Sequence, residues 1–130
     1  MNGLFIEATK STPEVCFDAE NNKLVLNGQS YPENAFKFYE PILKWLDQYI
    51  AQLQPEVQVT IELSLSYINT SSSKCLMMLL DTFEEAFHDG ILVQLNWYYN
   101  EDNESELECA EEFTEDMSFP FEIIACVESK

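Results

Sequence analysis

Four consecutive hydroxyl side chains lie between a strongly alternating apolar segment and a segment with helical periodicity. They run from Thr70 to Ser73, after Asn69 and before Lys74. A helix N-terminus gathers unpaired backbone N–H groups and a positive partial charge, so it stabilises an anion. A phosphate on Thr70 would meet those amides and the Lys74 ammonium, and would add about −1.5 to −2 charges. The segment therefore suits a phosphorylation site.

Helix capping is the second interpretation of the same hydroxyl run. The side-chain oxygens of Ser, Thr and Asn accept hydrogen bonds from the unpaired N–H groups of a first helical turn. On residue types alone, we expect Thr70 or Ser71 to be such a cap. The two interpretations are compatible, because a capping hydroxyl leaves that role once it is phosphorylated. In chemical terms Ser71, Ser72 and Ser73 accept phosphate as well as Thr70 does.

Groups that could support catalysis by this chain alone are scarce. A cysteine nucleophile needs a base close to it in space, and the one histidine is His88. This residue lies at a predicted helix C-terminus, where capping of carbonyls and the helix dipole account for it. The three glycines are far apart, so a glycine-rich phosphate loop is excluded. We expect a protein that is not an enzyme and that holds no cofactor or metal.

The acidic stretch at residues 101–116 holds nine carboxylates and no lysine. Its first half, with Asp102, Glu104, Glu106 and Glu108, could bind a cation, but it lacks the spacing of a calcium-binding loop. A solvated helix face is the ordinary explanation of such a run. The stretch could also steer a basic partner towards the chain. A small metal-dependent enzyme with an acidic site remains an alternative.

The charge balance excludes several classes of partner. The chain has 24 acidic and six basic residues, a formal charge of −18, and all six basic residues are lysine. Such a surface repels nucleic acid and anionic membranes. Neither a secretory signal nor an apolar run long enough to span a membrane is visible. The sequence predicts a cytoplasmic protein with reduced cysteines.

Hydrophobic periodicity predicts one α/β domain over residues 1–130, with the order β-β-β-α-β-α-β-α-β. Strand–helix–strand repeats imply parallel pairing. We therefore expect a mixed sheet with antiparallel N-terminal strands, β-α-β crossovers and helices mainly on one face. The predicted strands are residues 4–8, 15–18, 23–27, 57–68, 91–98 and 121–127, and the helices follow Asn34, Lys74 and Glu104.

Three aromatic residues are candidates for partner binding, since aromatic side chains are enriched at interface hot spots. Tyr67, Tyr98 and Tyr99 lie at or near the carboxyl ends of two predicted strands, as Thr70 does. Trp97 is in phase with the apolar positions of its strand, so we expect it in the core. We expect Tyr98 and Tyr99 to be more exposed than Trp97.

Several sequence blocks recur in the same order in a known family. They are residues 11–13 (STP), 30–34 (SYPEN), 69–74 (NTSSSK), 96–99 (NWYY), 111–113 (EEF) and 118–121 (SFPF). The chain resembles the SiaC family of bacterial regulatory phosphoproteins, which control biofilm formation and aggregation, over residues 5–125.

The resemblance implies a fold similar to that of anti-sigma-factor antagonists and a role in a partner-switching module. It implies that a dedicated kinase phosphorylates Thr70 and that a PP2C-type phosphatase removes the phosphate. From the residues themselves, we expect Asn69 and Lys74 to form the phosphate environment. The unphosphorylated form is then expected to bind and activate a diguanylate cyclase, which raises cyclic di-GMP. A constitutive interaction domain, whose hydroxyls only cap a helix, is a further alternative. The oligomeric state stays open.

Overall fold

The computed structural model describes residues 1–127. In this part of the chain, six strands and three helices follow one another in the predicted order. They are β1 (Leu4–Ile6), β2 (Glu14–Asp18), β3 (Lys23–Ser30), α1 (Ala35–Ala51), β4 (Gln58–Ile68), α2 (Thr70–His88), β5 (Leu92–Asn100), α3 (Glu104–Thr114) and β6 (Phe121–Cys126). None of these helices has the length and apolar character needed to cross a membrane.

The strands form a single mixed sheet in sequential order from β1 to β6. The β1–β2 and β2–β3 pairs are antiparallel. The pairs β3–β4, β4–β5 and β5–β6 are parallel. These pairings confirm the predicted mixed sheet. Because β4 and β5 are parallel, their carboxyl ends, with Tyr67 and Tyr99, lie at the same end of the sheet.

Strand boundaries differ from the predicted ones, and β3 shows the physical reason. It continues to Ser30 instead of ending at Asn27, with a register shift between Gly28 and Gln29. Gly28 has φ of 133°, a backbone conformation that glycine adopts without the steric cost of a Cβ. The irregularity lets pairing with β4 resume beyond the glycine, and this brings Ser30 beside the start of α2. Smaller differences are that β1 ends at Ile6, β5 spans Leu92–Asn100 and β6 ends at Cys126.

Burial alternates along β4 as the sequence predicts. Val59, Ile61 and Leu63 are buried, whereas Thr60 and Glu62 are half-buried on the other face. The buried strand residues and the apolar faces of the three helices form one core cluster. The helices therefore cover one face of the sheet, and the second face stays polar and open, as expected for a sheet covered on one side.

An aromatic cluster packs α1 against the hairpin formed by β2 and β3. Trp45 stacks on Tyr49 with centroids 4.8 Å apart, and Phe17 lies 5.3 Å from Trp45. The Tyr49 hydroxyl donates to Oδ1 of Asn22 in the hairpin turn at 2.6 Å. Burial, and then the negative charge of Asp18, raise the pKa of Tyr49 to about 12. The neutral phenol is therefore part of the folded state.

This raised pKa predicts a loss of stability in alkali. An unfolded tyrosine ionises near pH 10, so between about pH 10 and pH 12 the unfolded chain releases a proton that the folded chain retains. The free energy of unfolding should fall across that window by about 2 to 3 kcal/mol through Tyr49 alone, at about 1.4 kcal/mol per pKa unit. Urea unfolding of wild type and Tyr49→Phe from pH 8 to 12 measures the difference.

Tyr49→Phe should be the less stable protein at pH 8, where it lacks the hydrogen bond, and should lose less stability than wild type above pH 10. Tyr67→Phe is the matched control, because this tyrosine is exposed. Parallel curves for wild type and Tyr49→Phe would contradict the prediction.

Candidate functional site

A single residue separates the end of β4 from the start of α2. This residue is Asn69, the N-cap of α2, and its Oδ1 accepts a hydrogen bond from the backbone N–H of Ser72 at 2.8 Å. The prediction that Thr70 or Ser71 caps the helix is therefore wrong. Asn69 is as good a cap as serine or threonine, and because it precedes the hydroxyl run it fills the capping position first. Thr70 is left with no capping role to lose.

Thr70 is the first residue of α2 and is exposed to solvent, as are Ser71 and Lys74. The amides of Ser72 and Ser73 already bond to Oδ1 and the carbonyl of Asn69. At a helix start the first N–H groups have no partner within the helix, so those of Thr70 and Ser71 are available to an anion. The local charge is favourable too, since the first turn of α2 contains no acidic residue.

Ser72 differs from its neighbours because its side chain is fully buried. The Ser30 hydroxyl donates to Ser72 Oγ at 2.8 Å and lies 2.8 Å from the hydroxyl of Tyr39 on α1. The Ser30 carbonyl also accepts the backbone N–H of Asn69 at 2.9 Å. These buried hydroxyls tie the first turn of α2 to both β3 and α1. Ser72 is therefore out of reach of a modifying enzyme in the folded chain, whereas Ser73 is half-buried.

A groove of about 330 Å³ separates the start of α2 from α3. Thr70, Ser73, Lys74 and Met77 line it from α2, and Cys109, Glu112 and Phe113 line it from α3. Lys74 makes no ion pair with any residue in the range 1–127. Thr70 and Lys74 thus line the same groove, and Asn69 directly precedes Thr70.

Two exposed apolar side chains that the sequence did not single out lie beside Ser71 and Lys74. Phe36 in the first turn of α1 and Met78 on α2 are 55% and 47% exposed. They share a shallow groove with Ser71 and Lys74. Both residues sit in amphipathic helices, where periodicity alone does not separate a core position from an exposed apolar one. We call the set Thr70, Ser71, Lys74, Phe36 and Met78 the α2 entry surface.

The aromatic candidates occupy three different environments. Tyr67 is 54% exposed and packs edge-on against Tyr31. Tyr98 is half-buried on the open face of the sheet, and its hydroxyl donates to Glu62 at 2.9 Å. Tyr99 is also half-buried, so Tyr98 and Tyr99 are both more exposed than Trp97, as expected. Trp97 is in the core against Phe113, as predicted.

The acidic stretch forms α3 and its flanks, with most of its carboxylates exposed. Across residues 1–127, no group of three or more His, Cys, Asp and Glu side chains is placed to hold a metal ion. The His88 ring pairs with Glu84 through Nε2 and Oε2, 3.0 Å apart, instead of capping carbonyls.

Comparison with solved structures finds the same fold in SiaC of Pseudomonas aeruginosa, with a TM-score of 0.90 and 40% identity over 97% of this chain and 100% of the other. SiaC in the crystal structure of the diguanylate cyclase SiaD in complex with its activator SiaC, from the same species, has a TM-score of 0.89 and 41% identity. That match covers 95% of this chain and 99% of the other. An uncharacterized protein, PA14_02130, of P. aeruginosa strain UCBPP-PA14 is 42% identical over 96% of this chain and 98% of its own length.

The fold and these comparisons define a small regulatory protein of mixed α/β architecture. Residues 6–126 match the SiaC family regulatory phosphoprotein profile. The chain belongs to the SiaC family, which confirms the resemblance drawn from its sequence blocks.

The cap geometry predicts the effect of losing the Asn69 side chain. Asn69→Ala should lower the free energy of unfolding by about 1 kcal/mol, because the Ser72 amide loses its acceptor. Asn69→Ser retains a capping oxygen and should lose less than half of that amount. Urea unfolding measures both variants, and Asn34→Ala, which removes the cap of α1, is the matched control. Equal stability of Asn69→Ala and wild type would contradict the assigned cap.

Proposed function

We propose that this chain is a non-enzymatic regulatory phosphoprotein of a partner-switching module. Phosphate on Thr70 controls whether it binds a downstream diguanylate cyclase. The observation that carries the proposal is the Thr70 side chain itself, which is exposed at the start of α2 and has no capping role. A modification there changes the surface of the protein without removing an interaction from its fold.

Exposure and position favour Thr70 over the neighbouring hydroxyls. Ser72 is buried and hydrogen-bonded, and Ser73 is half-buried. Ser71 is exposed, but it faces the groove towards α1. Thr70 faces the groove towards α3, and Lys74 lines both grooves. The family resemblance independently assigns the phosphate to the threonine of the Asn-Thr-Ser-Ser block.

The phosphate acts by charge and bulk on the α2 entry surface. It adds about −1.5 to −2 charges to a chain of formal charge −18. Lys74 and the first amides of α2 partly neutralise it, while Glu112 across the groove repels it. Phe36 and Met78 supply apolar contact area on the same surface. A partner that desolvates these side chains would also have to desolvate the dianion, which opposes binding.

A diguanylate cyclase is the proposed partner because SiaC of P. aeruginosa is the activator of such an enzyme, SiaD, in their complex. We propose that the unphosphorylated form of this chain binds and activates the corresponding cyclase and raises cyclic di-GMP. A cognate kinase and a PP2C-type phosphatase set the phosphorylation state, and the module works in the cytoplasm. The chain supplies a binding surface, and the enzymes supply the chemistry.

Binding to the diguanylate cyclase of the same host tests the proposal. Thr70→Ala should bind with an affinity close to that of wild type, because the hydroxyl makes no structural hydrogen bond. Thr70→Asp should bind at least about tenfold more weakly, since a buried, unpaired charge at an interface costs 1.4 kcal/mol or more. Titration calorimetry and the rate of cyclic di-GMP synthesis measure both effects.

Gln48→Glu is the charge control, because it adds one negative charge at an exposed position of α1 away from Thr70. It should bind as wild type does. Equal affinities of Thr70→Ala and Thr70→Asp would remove the switch and leave a constitutive interaction domain. Failure of the wild-type chain to bind the cyclase would remove the proposed partner.

A further inference from the structure

The outer edge of β6 is the longer open edge of the sheet. β6 ends the strand order opposite β1, which has three residues against six in β6. The carbonyls of Pro120 and Cys126 accept from the amides of Leu95 and Glu101 at 3.1 and 3.0 Å. Backbone groups alternate between the two sides of a parallel strand. Those of Phe121, Ile123 and Ala125 therefore face outward, where a further strand would pair.

A groove of about 520 Å³ runs along this edge, between α3 and β6. Phe121 and Ile123 line it from β6. Four glutamates line it from the end of α3, at spacings that place them on one helix face; they are Glu108, Glu111, Glu112 and Glu115. Phe121 is 39% exposed. The groove thus combines an unpaired backbone edge, apolar contact area and concentrated negative charge.

The placement of this charge is unfavourable for α3 itself. Negative charges at a helix C-terminus oppose the helix dipole, and like charges four residues apart repel each other. The last turn of α3 has no basic residue, and residues 101–127 contain no lysine or arginine to balance the glutamates. A basic partner would remove this repulsion.

We propose that the β6 edge binds an extended segment of a partner protein in which apolar and basic residues alternate. The segment adds to the sheet as a seventh strand. Its backbone pairs with Phe121, Ile123 and Ala125, as in other cases of strand addition. Its Lys or Arg side chains lie on the helix side of the sheet, where their aliphatic stems contact Phe121 and Ile123 and their charges reach the glutamates of α3. Its apolar side chains lie on the other face of the sheet, beside Ile124.

The charge of the groove also opposes binding of a second copy of the chain at the β6 edge. Pairing two β6 edges would bring two sets of groove glutamates together, along with Glu122 from each strand, and acidic residues at an edge oppose such self-pairing. The proposed segment has the opposite charge. Glu112 lines both this groove and the groove beside Thr70. The proposal does not depend on the proposed phosphorylation, so the unphosphorylated full chain is the material for the test.

The probe is a short acetylated and amidated peptide that alternates valine and lysine, titrated into the ¹⁵N-labelled full chain. Hydrogen exchange of the Phe121, Ile123 and Ala125 amides should slow by roughly tenfold or more at saturation, because strand pairing protects them. Affinity should fall as salt is added, since the contacts are exposed charge pairs. A peptide of the same composition, with its valines and lysines in separate blocks, is the pattern control.

Two sets of variants separate pairing from simple charge attraction. Ala125→Pro removes an outward N–H and keeps the amides that face β5, a position where an edge strand tolerates proline. It should weaken peptide binding by about tenfold. Glu111→Lys with Glu115→Lys should weaken it by roughly fivefold to tenfold. Asp81→Lys with Glu85→Lys, an exposed pair of the same spacing on α2, should bind as wild type does.

Circular dichroism checks that each variant is folded. If Ala125→Pro is unfolded, the exchange protection of the wild-type chain and the two charge-reversal double variants still test the proposal. Binding of the block peptide as tight as that of the alternating one would overturn the proposal. So would absence of exchange protection, or equal losses in the two charge-reversal pairs. Protection of β6 that rises with protein concentration without peptide would identify a second copy as the occupant and would also overturn it.

Discussion

The candidate site depends on the hydrogen bonds that hold the first turn of α2 in place. Asn69 caps the helix, and the Ser72 hydroxyl is held inside the protein by Ser30, which also contacts Tyr39. Every capping and anchoring interaction of this turn therefore uses residues other than Thr70. Buried polar groups that are fully hydrogen-bonded specify one arrangement of the elements they join. Thr70 is thus presented at a fixed position without holding that position itself.

The switch that we propose works through surface complementarity instead of refolding. In that proposal, the anchored turn keeps its geometry whether or not Thr70 carries a phosphate, so the added charge is delivered to one place on the surface. The chain has no arginine with which to clamp a phosphate in the bidentate way. In the proposed switch, Lys74 attracts the phosphate but leaves much of its charge open to a docking partner, so that the phosphorylated form is released.

Much of the fold follows from the sequence, because alternation in β4 and helical spacing in α1 and α2 reflect which faces are buried. The end of β3 cannot be predicted from the sequence. A glycine inside a strand, such as Gly28, cannot be told from a glycine that ends the strand until the pairing with β4 is known. The sequence predicted a helix start near residues 69–74, where α2 does begin, but it assigned the cap to Thr70 or Ser71 instead of Asn69. Ser72 continues the buried spacing of Cys75, Leu76 and Leu79, and that signal could have placed it inside. Its partner Ser30 is distant in sequence and becomes visible only in the fold.

The most direct test of the account compares amide spectra and hydrogen exchange of the chain with and without stoichiometric phosphate on Thr70. The account predicts chemical-shift changes confined to the start of α2 and the lining of its grooves, with the Ser72 amide still protected by Asn69. Loss of that protection, or shifts that spread through β5 and the sheet, would show that phosphate rearranges the fold and would contradict the account.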